Sequence, residues 1–235
     1  MKRAIAVVTG SRAEYGILRP LLRLLARDRR VELRLLVTGA HLRPEFGSTV
    51  REIRRDGFRP SALVPILDGG RLDARAVARA TARAVDGFSR VFARSAPDLL
   101  VLIGDRYETL GAATAALAHR VPVAHISGGK TTVGVIDESI RHAVTKLSHY
   151  HFTHNEEFRA RLLRMGERPE RVFAYGSPLV DEIVSTKASS RAATLRACGL
   201  AGLGRYLVVA VHPETLSPVP AGRLGACQGQ TVTLG

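Results

Sequence analysis

Leu99-Leu-Val-Leu-Ile103, Gly104-Asp-Arg-Tyr-Glu108, a small-residue stretch over 109–119, then Val121-Pro-Val-Ala-His-Ile126 and Ser127-Gly-Gly-Lys130 decide how this chain folds. Two short apolar runs separated by a helical stretch mark a βαβ unit whose parallel strands are buried on both faces. In such a sheet, ligands bind just past the carboxyl ends of the strands. Both runs end in polar, glycine-bearing turns, and chemistry is expected there. A further polar segment follows, with Asp137-Glu138 and Arg141-His142.

The same alternation extends outward in both directions. Residues 4–9 read as a first strand, followed by Gly10-Ser-Arg-Ala-Glu-Tyr-Gly16 and a helix with Pro20 near its start. Strands are expected over 31–37 and 62–67, with a short helix over 45–56 between them. A long alanine- and arginine-rich helix over 73–93 has good intrinsic propensity. Past the central unit come a helix over 136–147, a short strand over 151–153, and a helix starting behind Asn155, a favourable N-cap. A strand over 172–175 and a helix over 179–185 complete the pattern of a doubly wound α/β domain. Residues 187–205 read as a linker with a small helix. A new strand is expected over 206–211, ending at His212-Pro213, before an irregular tail over 217–235 rich in glycine and proline.

Composition narrows the function classes. No apolar run reaches the roughly eighteen residues a membrane span needs. The apolar run over 4–8 is too short for a signal peptide and leads into charged residues, so a cytoplasmic location is expected. Cys198 and Cys227 are too few and too far apart for a disulfide framework or a zinc site. The net charge is +14, carried almost entirely by arginine. The arginines are scattered over helical faces rather than gathered in a block, and no nucleic-acid-binding motif accompanies them. Their charge either suits phosphorylated ligands or reflects a compositional bias in which arginine replaces lysine throughout.

Each polar motif has a structural and a chemical reading. The turn at Gly10 is either a tight βα connection or an anion site at a helix N-terminus, to which Arg12 adds a phosphate contact. Asp105 is either the N-cap of the next helix or an acid at a strand end, suited to proton transfer. His125 reads as a core histidine. Gly128-Gly129 permits close backbone approach to a ligand. Asp137 with Arg141, and Glu138 with His142, stand at i,i+4 spacing, as salt-bridge partners or as parts of a site. His149, His151 and His154 lack a carboxylate or thiol that would complete a metal set.

Taken in order, these motifs carry a resemblance. Thr9-Gly-Ser-Arg-Ala-Glu-Tyr-Gly16, Val37-Thr-Gly39, Gly104-Asp-Arg-Tyr-Glu108, His125-Ile-Ser-Gly-Gly129, Asp137-Glu-Ser-Ile-Arg-His142 and His212-Pro-Glu-Thr-Leu216 resemble the hydrolysing UDP-N-acetylglucosamine 2-epimerases. The similarity implies a GT-B-like fold: one complete Rossmann-type domain over 1–186, a linker and the start of a second domain over 187–216, and the tail. It implies UDP-N-acetylglucosamine, or a related amino-sugar nucleotide, as substrate. The reaction would be elimination of UDP and rehydration to N-acetylmannosamine, for sialic or related nonulosonic acid synthesis, without metal or redox cofactor. Asp105, Asp137, Glu138 and His212 match the catalytic positions. Arg12, Glu14, Arg106, Glu108, Gly128, Gly129, Lys130, Arg141 and His142 match the substrate-binding ones. A homodimer is implied for full-length relatives, with no nucleic-acid or membrane partner.

Two departures from the family pattern stand out. Relatives carry an acid beside the Gly-Gly turn, where this chain has Ser127 and Lys130. They also continue well beyond His212, so weak or absent activity is expected of this chain. A non-catalytic sugar-nucleotide-binding domain is the alternative.

Overall fold

The structure, a computed structural model, describes residues 1–69 and 72–208. Seven strands alternate with helices: β1 (Arg3–Thr9), α1 (Arg12–Arg27), β2 (Val31–Thr38), α2 (Val50–Arg55), β3 (Pro60–Val64), α3 (Ala74–Arg94), β4 (Leu99–Ile103) and α4 (Tyr107–Ala118). Then follow β5 (Val123–Ile126), α5 (Ile136–Lys146), β6 (Tyr150–Thr153), α6 (Glu156–Arg164), β7 (Val172–Ala174), α7 (Pro178–Ser185) and α8 (Arg191–Ala197). The strands make one sheet in the order β3-β2-β1-β4-β5-β6-β7, and every neighbouring pair is parallel. The winding runs one way from β1 and the other way from β4. The crevice outside their carboxyl ends is therefore the topological switch point, where open α/β sheets bind ligands.

Strand periodicity explains the two cores. Ala6, Val8, Leu36, Leu100, Leu102 and Val123 face α3, α4 and α5, where they meet Ala84, Phe88, Phe92, Ala112 and Val144. Their neighbours Val7, Leu35, Val37, Val101, Ile103 and Ala124 face the other way and pack on Tyr15, Leu18 and Leu22 of α1 and Ile53 of α2. Because successive residues point to opposite faces, a strand covered on both sides must be apolar throughout, which is why Leu99–Ile103 reads as an unbroken run. Helix α4 is rich in alanine for a related reason. It is buried nearly all round, and a Cβ on Gly111 would overlap that of Ala84 in α3.

Several boundaries differ from expectation. The helix expected over 45–56 is broken into a 3-10 turn at Pro44–Phe46 and α2. Gly47 and Ser48 between them both have positive φ, 83° and 46°, which no α-helix tolerates. Helix α1 starts at Arg12 behind N-cap Ser11, so Gly16 is helical rather than part of a long glycine turn and Pro20 lies mid-helix. Asp105 is not the N-cap of α4; Arg106 holds that position. Strand β3 begins two residues earlier than expected, at Pro60, which an edge strand tolerates at its first residue. Of the strand expected over 206–211, residues 206–208 are described and have no regular structure. Residues 209–211, His212, Cys227 and the tail over 217–235 lie outside the described residues.

Candidate active site

The turns after β1, β4 and β5 meet at the switch point. Gly104 has φ 78°, a left-handed conformation that glycine adopts without steric cost, and it turns the chain sharply after β4. Its N–H donates to the Ile126 carbonyl at 3.1 Å. His125, fully buried in β5, reaches the Gly104 carbonyl with Nε2 at 2.7 Å and Thr145 Oγ1 with Nδ1 at 3.2 Å. A carbonyl only accepts, so Nε2 carries the proton and Nδ1 accepts from the threonine. Burial pushes His125 down to about 4, which keeps the ring in that neutral form. The expected core histidine is thus a core histidine that pins the Gly104–Asp105 turn.

Arg141 is the hub of the site. Its side chain is almost wholly buried. Nε donates to Asp105 Oδ2 at 2.8 Å and Nη2 contacts the same oxygen. Nη1 donates to Glu138 Oε2 at 2.8 Å and to the Lys130 carbonyl at 3.0 Å, and Nη2 also reaches Thr132 Oγ1 at 2.9 Å. One guanidinium thereby ties the turn after β4, the Gly-Gly turn after β5 and the first turns of α5. The expected Glu138–His142 pair forms, with His142 Nε2 at 3.0 Å from Glu138 Oε1. The expected Asp137–Arg141 pair does not, because Arg141 points to Asp105 and Glu138. Asp137 feels the Asp105 charge, and burial first, then that charge, push its carboxyl above the ordinary range. Burial also works on Glu138, but the Thr132 N–H, His142 and Arg141 outweigh it and hold that carboxyl low.

Lys130 follows the Gly-Gly turn. Among the described residues it makes no ion pair, and it is half-buried. Burial first, then the Arg141 charge, lower its ammonium. Gly129 has φ 81°, and a Cβ there would press into the Phe158 backbone of α6. The turn therefore needs glycine both for conformation and for space.

Beneath the first turn lies a feature invisible in the sequence. Glu14 and Glu108 are 9% and 0% exposed. Glu14 Oε2 accepts from the Gly10 N–H at 2.7 Å, and Glu108 Oε1 accepts from Arg106 Nε at 2.8 Å. Burial first, then the Glu108 charge, push Glu14 up to about 8. Both residues, expected to touch substrate, lie behind the turns that they brace. Arg106 is more exposed and its charge reaches Asp137. Arg12 stands on the first turn of α1, largely exposed and paired with Glu52 of α2 at 3.0 Å.

The polar residues after β4 and β5 thus form one cluster at the carboxyl edge of the sheet, the three acids Asp105, Asp137 and Glu138 and the cation Lys130 around a clamped arginine. The sequence model described as UDP-N-acetylglucosamine 2-epimerase matches residues 23–225, most of the chain. The chain belongs to that family. Among curated members, it is 42% identical over 191 residues to a UDP-N,N'-diacetylbacillosamine 2-epimerase (hydrolyzing) from Legionella pneumophila, covering 81% of this chain and 50% of that protein. It is 35% identical over 216 residues to the UDP-N-acetylglucosamine 2-epimerase of Neisseria meningitidis, covering 92% and 55%. The chain therefore spans about half the length of the curated relatives it matches. The fold agrees: a putatively assigned family member from Listeria monocytogenes superposes with a TM-score of 0.72 at 20% identity, over 85% of this chain and 52% of that one. Among the described residues, no group of three or more histidine, cysteine or acidic side chains is placed to hold a metal, and no helix is long and apolar enough to cross a membrane.

Thr132, which sequence reasoning passed over, lies against Arg141. Ser127 and His154 are each named from the sequence but not as partners: Ser127 Oγ is 2.8 Å from His154 Nε2 across 27 residues.

Proposed function

We propose that this chain provides the acid–base half of a hydrolysing 2-epimerase site for UDP-linked 2-acetamido sugars. The observation that carries the reading is the Asp105–Arg141–Glu138 clamp with Asp137 beside it, at the switch point of a doubly wound sheet. Relatives named for UDP-N-acetylglucosamine and for UDP-N,N'-diacetylbacillosamine support the substrate class.

The chemistry assigns the roles. A carboxylate takes the C2 proton, the C–H electron pair forms the C1–C2 double bond, and the C1–O bond breaks to release UDP with its electron pair. Water then adds its oxygen to C1 while C2 receives a proton on the opposite face, giving the 2-epimeric free sugar. Asp137 suits the proton-transferring group, because its raised carboxyl is not spent on Arg141. Asp105, held by Arg141, is the neighbouring carboxylate that tunes it, and Glu138 orients His142 as a second polar contact. Arg12, Arg106 and Lys130 supply cationic charge for the departing diphosphate, with the Gly128-Gly129 backbone allowing close approach. His212, outside the described residues, completes the proposed catalytic set. A homodimer and a cytoplasmic setting belong to the same reading.

Incubation with UDP-N-acetylglucosamine or UDP-N,N'-diacetylbacillosamine in deuterated water, followed by proton NMR, tests it. Release of UDP with deuterium at C2 of the free sugar, at a rate well below that of a full-length relative run alongside, is the expected result. Binding without UDP release would instead mark the chain as a sugar-nucleotide-binding domain, and no binding of either nucleotide would overturn the proposal.

A further inference from the structure

Ser127 closes β5 in a conformation that a serine rarely takes. Its φ is 73°, in the left-handed region that L side chains disfavour, and such strain gathers at functional sites. Its N–H donates to the Phe152 carbonyl at 3.0 Å, extending the parallel ladder one residue past β5. Its side chain is turned to His154, the residue just past β6, at 2.8 Å. Two adjacent strand ends thus present a hydroxyl–imidazole pair on the ligand-binding edge of the sheet. Ser127 is 7% exposed and His154 is part-buried, so the pair sits just under the surface of that edge.

The surroundings fix how the pair is polarised. His154 packs on the Phe158 ring of α6, and Lys130 from the Gly-Gly turn is the charged group that acts on it. Burial first, then that charge, push His154 down to about 4, so the imidazole is neutral at physiological pH. A second cation, Arg161 of α6, is bound to the Gly129 carbonyl and to Glu157. A neutral ring has one accepting nitrogen. When Nε2 is that nitrogen, the Ser127 hydroxyl donates to it and turns its oxygen lone pairs away from the ring.

Resting on the sugar-nucleotide reading above, we infer that Ser127 is a ligand contact and His154 its positioning residue. The serine oxygen accepts from a hydroxyl or amide N–H of the 2-acetamido sugar, and the imidazole orients it. The chain thus has a specificity element on the β5–β6 side, beyond the acids of the β4–α5 side.

Two NMR observations on the unaltered chain and two variants test this, using UDP-N-acetylglucosamine as the probe. Nitrogen-15 NMR of the free protein should show a neutral His154 ring with its proton on Nδ1. Adding the nucleotide should shift that signal. Ser127→Gly keeps the backbone conformation and removes the hydroxyl. It should weaken binding about 5-fold by calorimetry, as the loss of one neutral hydrogen bond does, and abolish the His154 shift while leaving the melting temperature unchanged or raised. His154→Phe should give a similar loss of affinity with Ser127 still present. Binding with an unmoved His154 signal and an unchanged Ser127→Gly affinity would overturn this inference alone, as would a ring protonated on Nε2. Absence of any binding by the unaltered chain would overturn the sugar-nucleotide reading, and this inference with it.

Discussion

Arg141 donates to Asp105 across 36 residues of sequence, Nε to Oδ2 at 2.8 Å, from a guanidinium that is almost fully buried. A helix residue and a strand-end residue are joined because parallel strands deliver all their carboxyl-end turns to one edge of the sheet. The bond fixes how far the turn after β4 can move from α5.

Replacing Arg141 should therefore damage both stability and site geometry. Arg141→Ala strands Asp105 and Glu138 side by side without their shared cation. Removing one partner of a buried pair costs about 3 kcal/mol or more. Some of this is offset here because both carboxylates are partly solvated. Urea unfolding should show a loss of about 2–3 kcal/mol on that basis. Arg141→Lys should recover only part of it, since an ammonium cannot reproduce the fork that reaches Asp105 and Glu138 together.

Glu14 should make the protein less stable as pH rises. Its carboxyl is raised from 4.5 to about 8. Below 4.5 both folded and unfolded forms are protonated, so Glu14 contributes no slope. Between 4.5 and 8 the unfolded chain releases the proton while the folded one retains it, so stability falls through that window and levels off above it. Glu14→Gln keeps an acceptor for the Gly10 N–H and cannot ionise. Urea midpoints at pH 5 and pH 8.5 should differ less for this variant than for the unaltered chain.

The buried histidines act in the opposite sense on the acid side. His41 and His125 are both pushed down to about 4, chiefly by burial. Under acid conditions the unfolded chain takes up protons near 6.5, whereas the folded chain resists until about 4. Stability is therefore lost progressively as pH falls through that interval. His125→Asn should flatten part of this acid slope. It should also lower stability at pH 7 by about 1–2 kcal/mol through the lost hydrogen bond and packing.

Gly129 and Gly57 separate conformational strain from steric overlap. Both have positive φ, 81° and 89°. A Cβ on Gly57 meets open space, whereas one on Gly129 meets the Phe158 backbone. Gly57→Ala should cost about 1 kcal/mol, and Gly129→Ala should cost about 1–3 kcal/mol more through overpacking. Thermal unfolding of the two variants compares them directly. A nucleotide-binding defect should accompany only the second.

The sequence alone determined the alternation of strands and helices, because a strand buried on both faces must be an unbroken apolar run and an amphipathic helix must repeat its apolar residues. It also marked the turns that are candidates for the chemistry, since parallel strands deliver their carboxyl-end turns to the ligand-binding edge of the sheet, and the ordered motifs of those turns named the family. Local pairs at helical spacing were half legible: Glu138 meets His142, but Asp137 loses Arg141 to a partner no spacing rule reveals. Only the tertiary structure decided the strand order that puts the switch point between β1 and β4. It alone buried Glu14 against Glu108, pinned Gly104 with His125, and set Ser127 beside His154. Each of these contacts joins residues remote in the chain. What selects them is the packing of layers on a shared sheet, a property of the assembled fold that no local pattern of side chains encodes.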